Sequence, residues 1–143
     1  MGLLDILKIG AKALKAQKIR MEVIAANLAN MHTTRTEENE PYRKREVVFK
    51  QDSIESGSRF ENTLNEKLKS VKVEEIVESQ KPFVMVYDPF HPDAGKDGYV
   101  TYPNVSLMEE MTDMMLATRS YEANVNLINV TKEMFLKTLE IGK

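Results

Sequence analysis

Both ends of the chain carry an apolar repeat of seven residues, and the stretch between them does not. In the first 31 residues Leu7, Leu14, Met21 and Leu28 recur at every seventh position, and Leu3, Gly10, Gln17, Ile24 and Met31 occupy the second seam position. Alternating steps of three and four, sustained over four heptads, predict a helix that lies lengthwise against another helix. At the other end Leu107, Met111, Met114, Thr118, Tyr121, Val125, Ile128, Lys132, Phe135 and Leu139 follow the same alternation, with only Thr118 and Lys132 polar. Ser106, three residues before Glu109, forms a capping-box signature at the start of this helix. Glu109, Glu110 and Asp113 suit the positive end of its dipole, Lys137 and Lys143 the negative end, and Gly142 is a natural stop. At 1.5 Å per residue, Leu107 to Leu139 would run roughly 50 Å, which is long for a chain of this size.

The stretch from Thr33 to Pro103 obeys a different pattern. Thr33-Thr34-Arg35-Thr36 and the run Glu37 to Pro41 break the first helix. Glu46 to Lys50, Val71 to Val77 and Phe83 to Tyr87 read as short strands. The polar run Gln51 to Ser70 between the first two has the character of a loop or partial helix. Asp88-Pro89-Phe90-His91-Pro92-Asp93 opens a turn-rich stretch that Asp97-Gly98 and Tyr102-Pro103-Asn104 close. The expected architecture is therefore mainly α with a small β-containing middle segment. The terminal helices, over 1–33 and 104–143, pair as a coiled-coil-like layer, and 34–103 forms a small β-rich middle segment with loops.

An alanine and aliphatic stripe beside each seam adds apolar surface that one chain has little with which to cover. Ile6, Ile9, Ala13, Ala16, Ile19 and Ala26 form it in the first helix, and Met108, Met115 and Leu127 in the second. Each large apolar side chain left uncovered forgoes roughly 1.5–3 kcal/mol of burial. The surplus predicts contact with other subunits. Nine methionines suit adaptable helix–helix packing of this kind. Lys8, Lys12, Lys15, Lys18 and Arg20 lie mostly off the seam and read as a solvated face.

The composition narrows the chemistry further. With 20 basic and 22 acidic residues there is no cationic excess of the kind that binds nucleic acid. The absence of cysteine removes disulfides, thiolate nucleophiles and Cys-based zinc sites. No Gly-rich phosphate loop or Gly-x-Ser-x-Gly elbow occurs. Asp88, His91, Asp93 and Asp97 are the one cluster reminiscent of a metal site, but turn chemistry accounts for them and the spacing lacks the alternating oxygen ligands of a calcium loop. No enzyme, cofactor, metal or small-molecule substrate is expected. Charges at Asp5 and Lys8 interrupt the apolar N-terminus, so neither a cleavable signal peptide nor a membrane helix is expected. Asn27, Asn30, Asn124, Asn126 and Asn129 are poor helix formers inside predicted helices. Solvent exposure explains some of them; the sharper expectation is that amides pair between helices and fix their register.

Asn27-Leu28-Ala29-Asn30, Thr33-Thr34-Arg35-Thr36 and Pro41-Tyr42-Arg43-Lys44 resemble the N-terminal signature of bacterial flagellar axial rod proteins. The stretch Asp88-Pro89, His91-Pro92-Asp93-Ala94, Gly98-Tyr99-Val100 and Tyr102-Pro103-Asn104-Val105 is similar to the proximal rod members of that family. So is Arg119 to Val125, running on through Ile128-Asn129, Thr131-Lys132 and Lys137 to Lys143. Met31-His32, Ser106 and the glycine-free Glu37 to Glu40 depart from the pattern. The resemblance implies a structural subunit of the basal-body rod that assembles with other rod proteins and with copies of itself into the drive shaft. It also implies passage through the flagellar type III export apparatus without a cleaved signal peptide, and a final place in the periplasmic part of the rod. Terminal helices would form the inner layer and the middle segment the outer one. The assembly interface expected from seam and resemblance together comprises Leu7, Leu14, Met21, Ile24, Asn27, Leu28, Asn30, Met111, Met114, Tyr121, Asn124, Val125, Ile128, Phe135 and Leu139. A soluble coiled-coil adaptor or export chaperone is the alternative.

Overall fold

A computed structural model describes residues 3–53 and 69–141. Two long helices run antiparallel: α1, Leu3–Ala29, of 27 residues, and α2, Leu107–Ile141, of 35. Their register is set by a few cross-helix contacts. Asn27 meets Glu110, Arg20 Nη2 donates to Asp113 Oδ1 at 3.0 Å, and Thr118 Oγ1, which donates to Met114 O at 2.8 Å, lies 3.7 Å from Met21 Sδ. Near the opposite end Gly10 lies under Ile128, where a Cβ would stand 3.0 Å from Ile128 Cγ1. A glycine there lets the two backbones approach and seats the isoleucine. α2 begins directly after Ser106, the residue that the capping signature singles out.

Strands β1, Arg45–Ser53, and β2, Lys69–Glu78, form an antiparallel ribbon from Arg45↔Glu78 to Ser53↔Lys69, with a bulge between Val48 and Phe49. The ribbon packs along α1 rather than standing apart from it. Lys12 Nζ reaches Asp52 Oδ2 at 2.6 Å, Lys72 Nζ stands 3.4 Å from Asp52 Oδ1, and the two ammonium groups hold that carboxyl below the usual range. The hydrogen bond from Lys12 is the main cause. A second antiparallel pair, β3, Val84–Tyr87, and β4, Tyr99–Tyr102, makes a separate hairpin near the end of α1.

The middle of the chain departs from the sequence reading in two places. Tyr99–Tyr102, within the turn-rich stretch that Asp97-Gly98 and Tyr102-Pro103-Asn104 close, is a strand. The long connection from Asp88 to Gly98 separates it from its partner, so no short hairpin turn announces the pairing. The polar run Gln51 to Ser70 contributes strand at both ends, Gln51–Ser53 and Lys69–Ser70. The remainder of that run lies outside the described residues, as does the Gly142 stop.

Gly98 turns the chain back into β4 with φ 75°, and a Cβ there would lie 2.8 Å from Tyr87 Cε2. The ring of Tyr87 in turn meets that of Tyr99 edge-on, with centroids 5.3 Å apart. Gly98→Ala should therefore destabilise the hairpin by about 1–2 kcal/mol from the left-handed backbone alone, and more from the displaced ring. Faster amide exchange at Asp88, whose N–H donates to Gly98 O at 2.9 Å, checks this, with exchange in α1 unchanged.

The apolar interior of one chain is small. Ala16, Val23, Ile24, Tyr42, Val100 and Ala117 are the buried apolar side chains among the described residues. They lie between α1, α2 and the start of β1, with Val100 in the hairpin.

Candidate assembly surface and its polar junction

At the junction of helices and ribbon sits a buried side-chain network centred on Asn27. Its Oδ1 accepts hydrogen bonds from Arg45 N and Tyr42 Oη, each at 2.9 Å. Its Nδ2 donates to Arg45 O at 2.9 Å and to Glu110 Oε2 at 3.0 Å. Every polar position of the amide is therefore used, as a residue only 1% exposed requires. By engaging both the N–H and the C=O of Arg45, the helix side chain acts toward β1 as a neighbouring strand would. Glu110, also 1% exposed, turns its other oxygen to Lys44 Nζ at 2.7 Å. Burial pulls the Lys44 ammonium toward neutrality, but the hydrogen bond and charge of Glu110, helped by Glu109 and Glu46, outweigh it and the lysine pKa is raised. Burial raises Tyr42 as well, against the opposing charge of Arg45. This network ties α1, β1 and the first turn of α2 to one another.

The other asparagines do not bridge elements through amide pairs. Asn30 Nδ2 donates to Ala26 O at 2.9 Å and its Oδ1 accepts from Thr33 Oγ1 at 3.2 Å, closing the end of α1. Asn124 Nδ2 donates to Ser120 O at 2.8 Å within its own helix, and Asn126 and Asn129 are exposed.

The faces of the helices explain where the apolar surplus goes. α2 buries Glu110, Ala117 and Thr131, which stand one position ahead of the apolar series at Met111, Thr118 and Lys132. The most buried positions of the edge turned to α1 are therefore polar or small, and Ile128 beside them seats on Gly10. Ile24 and Asn27 are buried, whereas Leu7, Leu14, Met21, Leu28 and Asn30 are half-buried. Met114, Tyr121, Asn124, Val125 and Ile128 are half-buried along the flank of α2, whereas Met111, Phe135 and Leu139 are exposed. With them Met108, Met115, Leu116, Leu127, Val130 and Met134 present large apolar side chains to solvent. They fall in two stretches, 107–116 and 127–141, and exposed apolar side chains gathered in this way on a long helix mark an interaction face.

Sequence reasoning missed Tyr42, Lys44 and Glu110 as partners of Asn27, and placed Glu110 only as a complement to the helix dipole. The signal that could have found the packed edge is the seven-residue series Glu110, Ala117, Asn124 and Thr131, whose small and polar members match the alanine-rich side of α1. In the turn-rich loop, Asp88 Oδ1 accepts from Phe90 N at 3.2 Å, His91 Nδ1 from Asp93 N at 3.1 Å, and Asp93 Oδ2 from Thr34 Oγ1 at 2.8 Å. These groups are engaged in holding loop geometry. Among the described residues no group of three His, Asp or Glu side chains is placed to hold a metal ion, and no helix is long and apolar enough to cross a membrane.

Paired terminal helices of unequal length, a β unit clamped to them, and an outward apolar helix face together define a structural subunit built to polymerise. Residues 7–35 match the family described as flagella basal body rod protein, and residues 96–141 match the C-terminal family of flagellar basal body rod FlgEFG proteins. The flagellar basal-body rod protein FlgC of Bacillus subtilis strain 168 is 45% identical over 96% of this chain and 96% of its own length. FlgC of Salmonella typhimurium is 41% identical over the whole of both chains, and FlgC of Borreliella burgdorferi is 38% identical over 99% of this chain and 98% of its own. The chain belongs to the FlgC family of flagellar basal-body rod proteins. It is a structural subunit of the rod, assembling with other rod proteins, and its family is not one of enzymes. Nothing in these relationships favours an adaptor or chaperone.

Proposed function

We propose that the chain passes through the flagellar type III export apparatus with no signal peptide removed and takes its place in the periplasmic part of the rod. There the helices over 1–33 and 104–143 lie in the inner tube with their axes near the shaft direction, and 34–103 faces outward. The observation that carries this reading is the outward face of α2: Met108, Met111, Met115, Leu116, Leu127 and Met134 are exposed on a helix whose other side is the part already packed. Such a helix is covered only when further helices pack beside it. The interface residues Leu7, Leu14, Met21, Leu28, Met114, Tyr121, Val125 and Ile128 flank that face, and Phe135 and Leu139 continue the Ile128 side of α2 toward the level where α1 begins. The unlike faces of α1 and α2 suit head-to-tail contacts that continue, rather than a two-fold pair that closes.

A map of the intact rod tests the arrangement. Helices of this chain should line the channel wall, with residues 45–53 and 69–78 outside them. An inner wall made of residues 40–100, or a closed two-fold pair, would overturn it. The export reading has its own check: peptide mass spectrometry of the chain from purified basal bodies should recover the segment beginning at Leu3 or before. Recovery only of chains shortened from the N-terminus would refute it.

A further inference from the structure

Three methionines stand in one narrow stripe at the start of α2. Met108, Met111 and Met115 are each more than half exposed, and at 3.6 residues per turn they fall within about 60° of arc. Met111 is three residues from Met108 and four from Met115, so its Cβ lies about 5–6 Å from each of theirs. An unbranched side chain with three rotatable bonds can bring its sulfur across such a gap without moving the helix. The hydroxyl of Thr112, between them in sequence, is committed to Met108 O at 2.8 Å. The charge around the stripe is acidic: residues 107–118 include Glu109, Glu110 and Asp113 and no basic residue. Asp113 is paired with Arg20 at 3.0 Å and Glu110 with Lys44 at 2.7 Å. Exposed Glu109 has only a 3.8 Å approach to the lysine that Glu110 already holds. Its carboxylate stands beside the thioethers and offsets the positive end of the helix dipole.

We propose that Met108, Met111 and Met115 converge on a soft monovalent cation, copper(I), and form a binding site for it on the separate chain. The donor set selects this class of ion. Thioether sulfur is neutral and polarizable, so it holds copper(I) well and hard or borderline divalent ions poorly. Three neutral donors leave the ion its single positive charge, which the spare carboxylate of Glu109 answers. Zinc has no better place to go, since among the described residues no group of three His, Asp or Glu side chains is placed to hold a metal ion. Other methionines lack the arrangement. Met85 and Met134 are exposed, but no second methionine stands within four positions of either. Met114 is half-buried on the flank of α2, outside the stripe. The site belongs to the single subunit and does not depend on how subunits pack in the rod.

The chain has no cysteine, so thiolate cannot contribute to what is measured. Titration of the purified full-length chain with silver(I), a redox-stable probe for the copper(I) site, should show one ion bound per chain. Of the nine methionine methyl signals in a carbon–proton correlation spectrum, those of Met108, Met111 and Met115 should move together and the rest stay. The triple variant Met108→Leu, Met111→Leu, Met115→Leu keeps side-chain size and helix propensity and should lose the binding. The pair Met85→Leu, Met134→Leu should keep it. No binding by the unsubstituted chain, unchanged binding by the triple variant, an equal loss in the control pair, or displacement of silver(I) by equimolar zinc(II) each overturns the proposal. X-ray absorption of the unsubstituted chain loaded with copper(I) under nitrogen needs no variant to fold. Sulfur neighbours around the copper are expected there, and a shell of nitrogen and oxygen alone is equally fatal.

Discussion

Glu110→Ala should remove about 3–5 kcal/mol of folding free energy, the range measured when one partner of a buried ion pair is deleted. The carboxylate is 1% exposed and serves two groups at once, Lys44 Nζ at 2.7 Å and Asn27 Nδ2 at 3.0 Å. Truncating it strands a largely buried ammonium and leaves one amide donor without an acceptor. Folded domains are stable by about 5–15 kcal/mol, so this single change takes a large part of the total. Urea unfolding of the purified chain followed by its helical signal provides the measurement. A double variant, Lys44→Met with Glu110→Leu, should lose much less than the sum of the two single changes, because no charge is then left buried and unpaired. If Glu110→Ala unfolds at the same urea concentration as the unsubstituted chain, the junction does not hold the fold. The pair also has a pH signature. The raised pKa of Lys44 means its contribution is complete below the ordinary lysine range and is lost as pH rises through the folded value.

Ile128→Asp should abolish swimming while leaving export of the chain intact. Ile128 is half-buried against Gly10, which offers no side chain to pair with a carboxylate. A charge placed there costs several kcal/mol when the helices close over it, and the flank it occupies continues into the exposed face of α2. The ribbon β1–β2 and the hairpin β3–β4 do not depend on Ile128 for their pairing. The variant should therefore keep its β structure and fail in assembly. Ile128→Val, which keeps the shape above Gly10 and loses one methylene, should cost about 0.5–1.5 kcal/mol and swim. Normal motility with the aspartate would show that this contact is not needed in the rod.

Much of the molecule follows from local pattern. Two helices at the ends, three of the four strands and the polar break from Thr33 to Pro41 that follows the first helix are legible because each depends on neighbours in sequence: heptad spacing, β-branched runs, and clusters of Thr, Glu and Pro. The start of α2 is legible for the same reason, since Ser106 and Glu109 act within one turn. The excess of apolar surface is legible too, because it depends on how many such residues the chain has and how little else it has to cover them.

What only the tertiary structure decided is which edge of each helix faces inward. Hydrophobicity alone directs the Met111–Leu139 seam of α2 toward its partner; the packed edge takes in Ile128 of that seam and its most buried positions are Glu110, Ala117 and Thr131. Gly10 leaves room for Ile128 opposite, and Asn27 draws Glu110 inward by a hydrogen bond across 83 positions of sequence. No local signal joins Asn27 to Tyr42, Lys44 and Glu110, because each looks like an ordinary polar residue until the chain folds back. Desolvation then makes their mutual pairing obligatory: a buried amide and a buried carboxylate must find partners, and these are the ones within reach. The sequence by itself determines the elements and the apolar surplus; the need to pair the buried Asn27, Lys44 and Glu110, met by residues far apart in the chain, determines which face is left for the rest of the rod.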